Sequence, residues 1–235
     1  MQSEDARPAA AVSSSGQITD PSRPARLWHG GVALVVAIAL VLQLVLVVAF
    51  PAAEAPGNVA VRVLRFFSFF TVQSNILVLV TSIQLARDPA RDGRLWRVVR
   101  LDALLAIAVT GVVHFVALRP IQDLSGLDAV ADILLHVVSP LIAVAGWILF
   151  GPRPRVALRE VGLSVVWPLL WFGYTLIHGA ISGWYPYPFV DVGDIGYART
   201  LINAAVVTVI FLVLATGVRW LDHALRPAPR VAINA

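Results

Sequence analysis

The chain contains no cysteine. That excludes a disulfide framework, a cysteine metal site and a cysteine nucleophile, and it leaves the redox compartment unread. Lysine is missing as well. All 18 basic residues are arginine, which together with heavy alanine and valine usage points to a GC-rich bacterial genome. Charge is scarce: 14% of the 235 residues are charged and 58% are hydrophobic. A mean hydropathy of +0.80 is that of an integral membrane protein. One membrane domain accounts for this length and leaves no room for a sizeable soluble one. The isoelectric point near 10.3 raises the question of nucleic acid. The arginines, however, lie in short loops between apolar runs, with no interleaved aromatic platform for bases, so no nucleic-acid partner is expected.

Residues 1–26 are rich in Ala, Ser, Pro and Gln with mixed charge and read as a disordered polar tail. They lack the compact basic, apolar and small-residue order of a cleaved signal peptide. The first apolar run, Val32 to Phe50, is long enough to span a bilayer. Five more follow at about 67–86, 102–118, 129–150, 158–180 and 198–219. The predicted fold class is therefore all-α: a polytopic protein of six transmembrane helices over residues 27–222, with a short tail at 223–235. Pro168 predicts a kink in the fifth run. No internal repeat is evident.

The arginines sort by loop. Fourteen lie in the N-terminal tail, the second and fourth loops and the C-terminal side, and only Arg62, Arg65, Arg119 and Arg199 fall on the other face. The positive-inside rule then puts both termini in the cytoplasm and the first, third and fifth loops outside; the expected location is the plasma membrane, with the lipid bilayer as its surroundings.

Polar side chains interrupt four of the apolar runs: Thr71, Gln73, Ser74, Asn75, His114, Asp132, His136 and His178. Such groups are costly in lipid and need a partner or a use. At about 1.5 Å per residue, Thr71 lies roughly 7 Å, His136 about 10 Å and His114 roughly 6 Å from the outer boundary. His178 lies near the surface. Asp132 shares a helix face with His136, and Thr71 shares one with Asn75. These depths predict a polar pocket in the outer half of the bundle. The fifth loop, Ser182 to Asp191, carries Trp184, Tyr185 and Tyr187 between Gly183, Pro186 and Pro188, and would rim or cover that pocket. Plainer readings exist for each residue. A lone His is often interhelical glue, Asp132 would cap a helix, Ser74 fits best as packing, and Trp and Tyr anchor at interfaces. The coincidence of Thr, His and Asp at one depth favours a site.

Phe69-Phe70-Thr71-Val72-Gln73-Ser74-Asn75, His136 with Pro140 one turn on, and Gly183-Trp184-Tyr185-Pro186-Tyr187-Pro188-Phe189 together resemble the androgen-induced gene 1 and androgen-dependent TFPI-regulating protein family, in its bacterial six-helix branch. The resemblance runs from the first to the sixth run and rests on these three short motifs. It implies a multi-pass threonine hydrolase of fatty-acyl esters, with Thr71 matching the family's threonine and His136 its histidine. The long polar N-terminus and the Gln-Ser-Asn stretch depart from the animal pattern and leave the substrate open.

The residues support that chemistry independently. A Thr hydroxyl needs a base, which His136 can be, and Asp132 can fix its tautomer. Asn75 or a protonated His178 would serve as oxyanion donor, with His114 in support. A membrane lipid or other fatty-acyl ester would arrive from the outer leaflet, and this mechanism needs no cofactor or metal. Three alternatives remain open. His114, His136, His178 and Asp132 would make a metal-dependent hydrolase site, although no HExxH-type spacing is present. Paired histidines would hold a b-type haem. A transporter or lipid-binding module would need no reaction at all, although neither an inverted repeat nor paired Gly-interrupted helices are seen.

Overall fold

The computed structural model describes residues 22–50 and 57–228; residues 1–21, 51–56 and 229–235 lie outside these. The described residues are helical, with no strand beyond a single bridge between Arg153 and Ala228. Helix α1 spans Arg23–Ala49. It begins four residues before the boundary expected from composition, because Pro24 in the first turn lacks an N–H that the helix would leave unpaired in any case. Helices α2 (Val59–Ser68) and α3 (Phe70–Arg87) follow. Helix α4 (Arg94–Val113) continues into a π-helical turn, His114–Leu118. Helix α5 (Gly126–Ile133) runs through a second π turn, Leu134–Val138, into α6 (Ser139–Phe150). Helices α7 (Leu158–Leu163), α8 (Val166–Ser182) and α9 (Val192–Ala224) complete the described chain.

Five of these segments are long and apolar enough to cross a membrane, and α2 with α3 makes a sixth if that bent pair is one span. Helix α1 packs chiefly on α3, α3 on α4, and α4 on α6; α9 leans on α4, α7 and α8. The core between α1, α3, α4 and α6 is built from Val32, Val36, Val72, Val78, Ala103 and Ile107. On α1, buried Val32, Val36 and Ala39 oppose exposed Leu34, Ile38 and Val45. An apolar outer stripe of this kind suits lipid rather than water.

Two spans are interrupted, the second without a signal in the sequence and the fifth near the expected kink. The second run is bent by 70° between α2 and α3. Phe69 there takes an extended conformation (φ −67°, ψ 130°), which breaks the hydrogen-bond ladder. Freed backbone groups are expensive in a bilayer, and here side chains take them up. Gln73 Nε2 donates to the Phe67 carbonyl at 2.9 Å, Trp171 Nε1 donates to the Ser68 carbonyl at 2.9 Å, and the Thr71 N–H donates to Tyr187 Oη at 3.2 Å. The fifth run is broken at Ser164–Val165, between α7 and α8. The expected kink thus falls one turn before Pro168, at the carbonyl whose usual donor that proline lacks.

Candidate active site

Prolines also explain the two π turns. Pro120 and Pro140 cannot donate to the carbonyls four residues back, Val116 and His136, and their rings crowd them. Each helix widens into a π turn just before its proline, a distortion common at functional sites. His114 and His136 occupy these two turns. Gly111 lets α4 and α6 come close at this level: a Cβ there would lie 3.2 Å from the His136 carbonyl oxygen and 3.2 Å from Pro140. The imidazoles of His114 and His136 consequently stack, with centroids 4.0 Å apart and planes at 14°.

The break at Phe69 puts Thr71 in the first turn of α3, opposite these rings. Thr71 Oγ1 is 3.2 Å from His136 Nε2. His136 Nδ1 is 2.9 Å from Asp132 Oδ1, and the other carboxylate oxygen is 3.2 Å from His114 Nε2. Tyr187 Oη is 3.2 Å from Thr71 Oγ1. One assignment of protons satisfies these contacts, with His114 donating from Nε2 to Asp132 Oδ2. Tyr187 accepts from the Thr71 N–H and donates its hydroxyl to Thr71 Oγ1. Thr71 donates to His136 Nε2, and His136 donates from Nδ1 to Asp132. Thr71, His136 and Asp132 thus form a chain of hydroxyl, imidazole and carboxylate, an arrangement that can activate the hydroxyl. Thr71 and His114 are buried, at 6% and 2% exposure. The side chains of His136 and Asp132 are 13% and 18% exposed.

Two cavities meet at this point. The larger, about 550 Å³, is lined by Thr71, His136, Asp132 and Tyr187 together with Trp184, Arg62 and Arg65. The smaller, about 80 Å³, lies on the far side of Thr71 and Tyr187. Its walls are almost wholly apolar, with Val109, Val113, Phe172 and Phe211 among them. The threonine hydroxyl thus sits between a wide, partly polar chamber and a narrow greasy one.

Several expected roles change. Asn75 is fully buried and its amide nitrogen faces the carbonyls of Thr71 at 2.9 Å and Leu135 at 3.3 Å, so it braces α3 against the π turn and is no oxyanion donor. His178 is not at the site: it stacks on Tyr174 and meets the edge of Trp184. Tyr185 is not part of the pocket wall either. Its ring lies against Gly179, where a Cβ would stand 2.0 Å from it. Trp184 keeps the rim position, beneath the guanidinium of Arg65, which lies 4.9 Å from its ring centroid. Tyr187, expected at the rim, lies further in, against the Thr71 hydroxyl. Burial pushes its phenol pKa up, which keeps it a hydrogen-bond donor. A haem between His114 and His136 has no space, because the two rings face each other directly. The motif around Thr71 did signal Gln73, but as part of a resemblance; its work in closing the helix break was not legible.

No known protein family, characterised protein or solved structure matches the chain.

Proposed function

We propose that this protein is a membrane hydrolase that cleaves a fatty-acyl ester, with Thr71 as nucleophile and His136 as base. The observation that carries the reading is the contact of 3.2 Å between Thr71 Oγ1 and His136 Nε2, with His136 Nδ1 held by Asp132 at 2.9 Å. The family likeness around Thr71, His136 and the Tyr187 loop supports it and rests on those short motifs. By the arginine distribution, the site would face the outer leaflet of the plasma membrane.

In this scheme His136 Nε2 takes the Thr71 proton as Oγ1 attacks the ester carbonyl carbon. The carbonyl π bond opens to an oxyanion. The Tyr187 hydroxyl and the positive end of α3 stand beside it. Collapse breaks the bond to the alcohol oxygen, which leaves with the proton from His136, and the acyl group remains on Thr71. Water, deprotonated by His136, then releases the fatty acid and restores the hydroxyl. The apolar chamber accommodates part of the acyl chain, and the wide chamber takes the alcohol part. The test is labelling of purified protein by a fluorophosphonate probe, together with turnover of a long-chain p-nitrophenyl ester. Both are expected in the wild type and absent from Thr71→Ala and His136→Ala. Wild-type turnover by a folded Thr71→Ala protein would overturn the scheme.

A second reading has its own observation. Ligand atoms of His114, Asp132 and His136 all lie within 4.8 Å of one another, a set that could hold a divalent metal. A metal there would activate water instead of Thr71. Turnover abolished by chelator, restored by zinc and retained in Thr71→Ser and Thr71→Ala would favour this arrangement over the threonine mechanism.

A further inference from the structure

The opposite end of α4 carries a charge that the hydrolase reading does not use. Arg100 lies 14 residues before His114, roughly 21 Å along the helix axis. It is 7% exposed. Its Nε and Nη2 are buried without a hydrogen-bond partner among the described residues. Asp102, two positions on, projects from another side of the helix. A buried guanidinium left unpaired is strongly unfavourable, and the usual remedy is an anion.

Arg100 lines a cleft together with Arg97, Arg155, Trp96 and Trp147. The enclosed space is only about 20 Å³, but Arg97 and Arg155 at its mouth have side chains 36% and 32% exposed. The nearby carboxylates have partners of their own, apart from Asp222 Oδ1, which is buried without one among the described residues. Asp92 is gripped by Arg97 through two contacts, of 2.6 and 2.7 Å, and lies 3.4 Å from Arg155. Glu160 accepts from the Ala157 N–H. Asp222 accepts from the N–H groups of Arg155 and Val156. Three arginines therefore line the cleft; among the described residues Asp92 is in ion-pair contact with two of them, and Glu160 adds an attraction to Arg97.

We infer that this cleft is a binding site for a phosphate group, with Arg100 as the buried anchor and Arg97 and Arg155 closing over it. Guanidinium forks match phosphate oxygens in pairs. Trp96 and Trp147, both buried, wall the cleft beside Arg100. A phosphate monoanion is the chemistry recognised, and it has two possible sources: the headgroup of an anionic phospholipid or free inorganic phosphate. The site lies on the arginine-rich end, away from Thr71, so ester turnover is not its readout.

The experiment uses the full-length protein in dodecyl maltoside. Thermal unfolding is followed during titration with dioleoylphosphatidylglycerol, with dioleoylglycerol of the same chains and no phosphate, and with inorganic phosphate. Wild type is expected to show a saturable upward shift with the phospholipid and none with dioleoylglycerol. Saturation by inorganic phosphate at comparable concentration would make the free ion the source, whereas a response to phospholipid alone would make it the headgroup. Arg100→Gln should weaken the response at least tenfold. If that variant does not fold, Arg97→Gln and Arg155→Gln, at the exposed mouth, should each weaken it several-fold. No saturable response in the wild type, an equal response to dioleoylglycerol, or an undiminished response in the folded variants would overturn the proposal.

Discussion

Trp171 Nε1 donates to the Ser68 carbonyl, which in an unbroken helix would accept from Val72. The indole of α8 thereby closes the bend between α2 and α3 and holds Thr71 at the start of a helix rather than in the middle of one. Trp171→Phe keeps the ring and removes the donor, leaving a buried carbonyl unpaired. The expected cost is about 1–3 kcal/mol, read as a lower unfolding midpoint in detergent. Ester turnover should fall with it, because the position of Thr71 depends on the break.

Tyr187 is expected to matter more to rate than to fold. Tyr187→Phe retains the aromatic packing on Phe69 and Phe189 and loses the hydroxyl beside Thr71 Oγ1. Removal of one donor from an oxyanion site typically lowers kcat by about 10²-fold. The measurement is kcat and KM on a long-chain ester, and the loss should fall on kcat.

Asp132 orients two imidazoles at once. Asp132→Asn leaves the shape unchanged but can present an N–H where His136 now donates. The wrong tautomer should lower kcat by roughly 10³–10⁴-fold. The double variant with His136→Ala should be no worse than His136→Ala alone, since residues acting as one unit are not additive. Additive losses would show that Asp132 acts apart from the histidine.

Gly179 is the seat of the aromatic loop. An added methyl there would stand 2.0 Å from the Tyr185 ring, and the ring must move. Gly179→Ala is expected to cost about 1–3 kcal/mol by overpacking. By lifting the loop it should also draw Tyr187 away from Thr71. Thermal unfolding and turnover measured together would show both effects, and an unaltered kcat would detach the loop from the site.

Outside the membrane segments, pH dependence should come from Asp92. Its hydrogen bonds from Arg97 hold its carboxyl well below the usual carboxylate range. A depressed pKa means that the folded state prefers the ionised form. The pair therefore adds stability above about pH 4, the ordinary value for Asp, and loses it as pH falls toward the folded value. Both side chains are about a third exposed, so screening keeps the effect below about 1 kcal/mol. Asp92→Asn should flatten the acid limb of unfolding midpoint against pH by that small amount.

The helical class and the approximate spans were legible because lipid imposes a simple rule: about twenty apolar residues in a row. The pairing of Asp132 with His136 was legible too, since residues four apart on a helix must be neighbours. The meeting of Thr71 with His136 was not, because it depends on helices separated by more than sixty residues lying side by side. The roles of Asn75 and His178 were misread for the same reason. Their residue types fit a site, and only the packing directs one to backbone carbonyls and the other to Tyr174.

Local rules therefore determined the composition class, the helices, the prolines that widen two of them and the face shared by Asp132 and His136. These follow from short-range geometry and from the cost of polar groups in lipid. Tertiary structure decided the rest: the break at Phe69 and the side chains that close it, the stack of His114 on His136, and the entry of Tyr187 to the threonine. Each depends on contacts between segments distant in sequence, which no local pattern encodes.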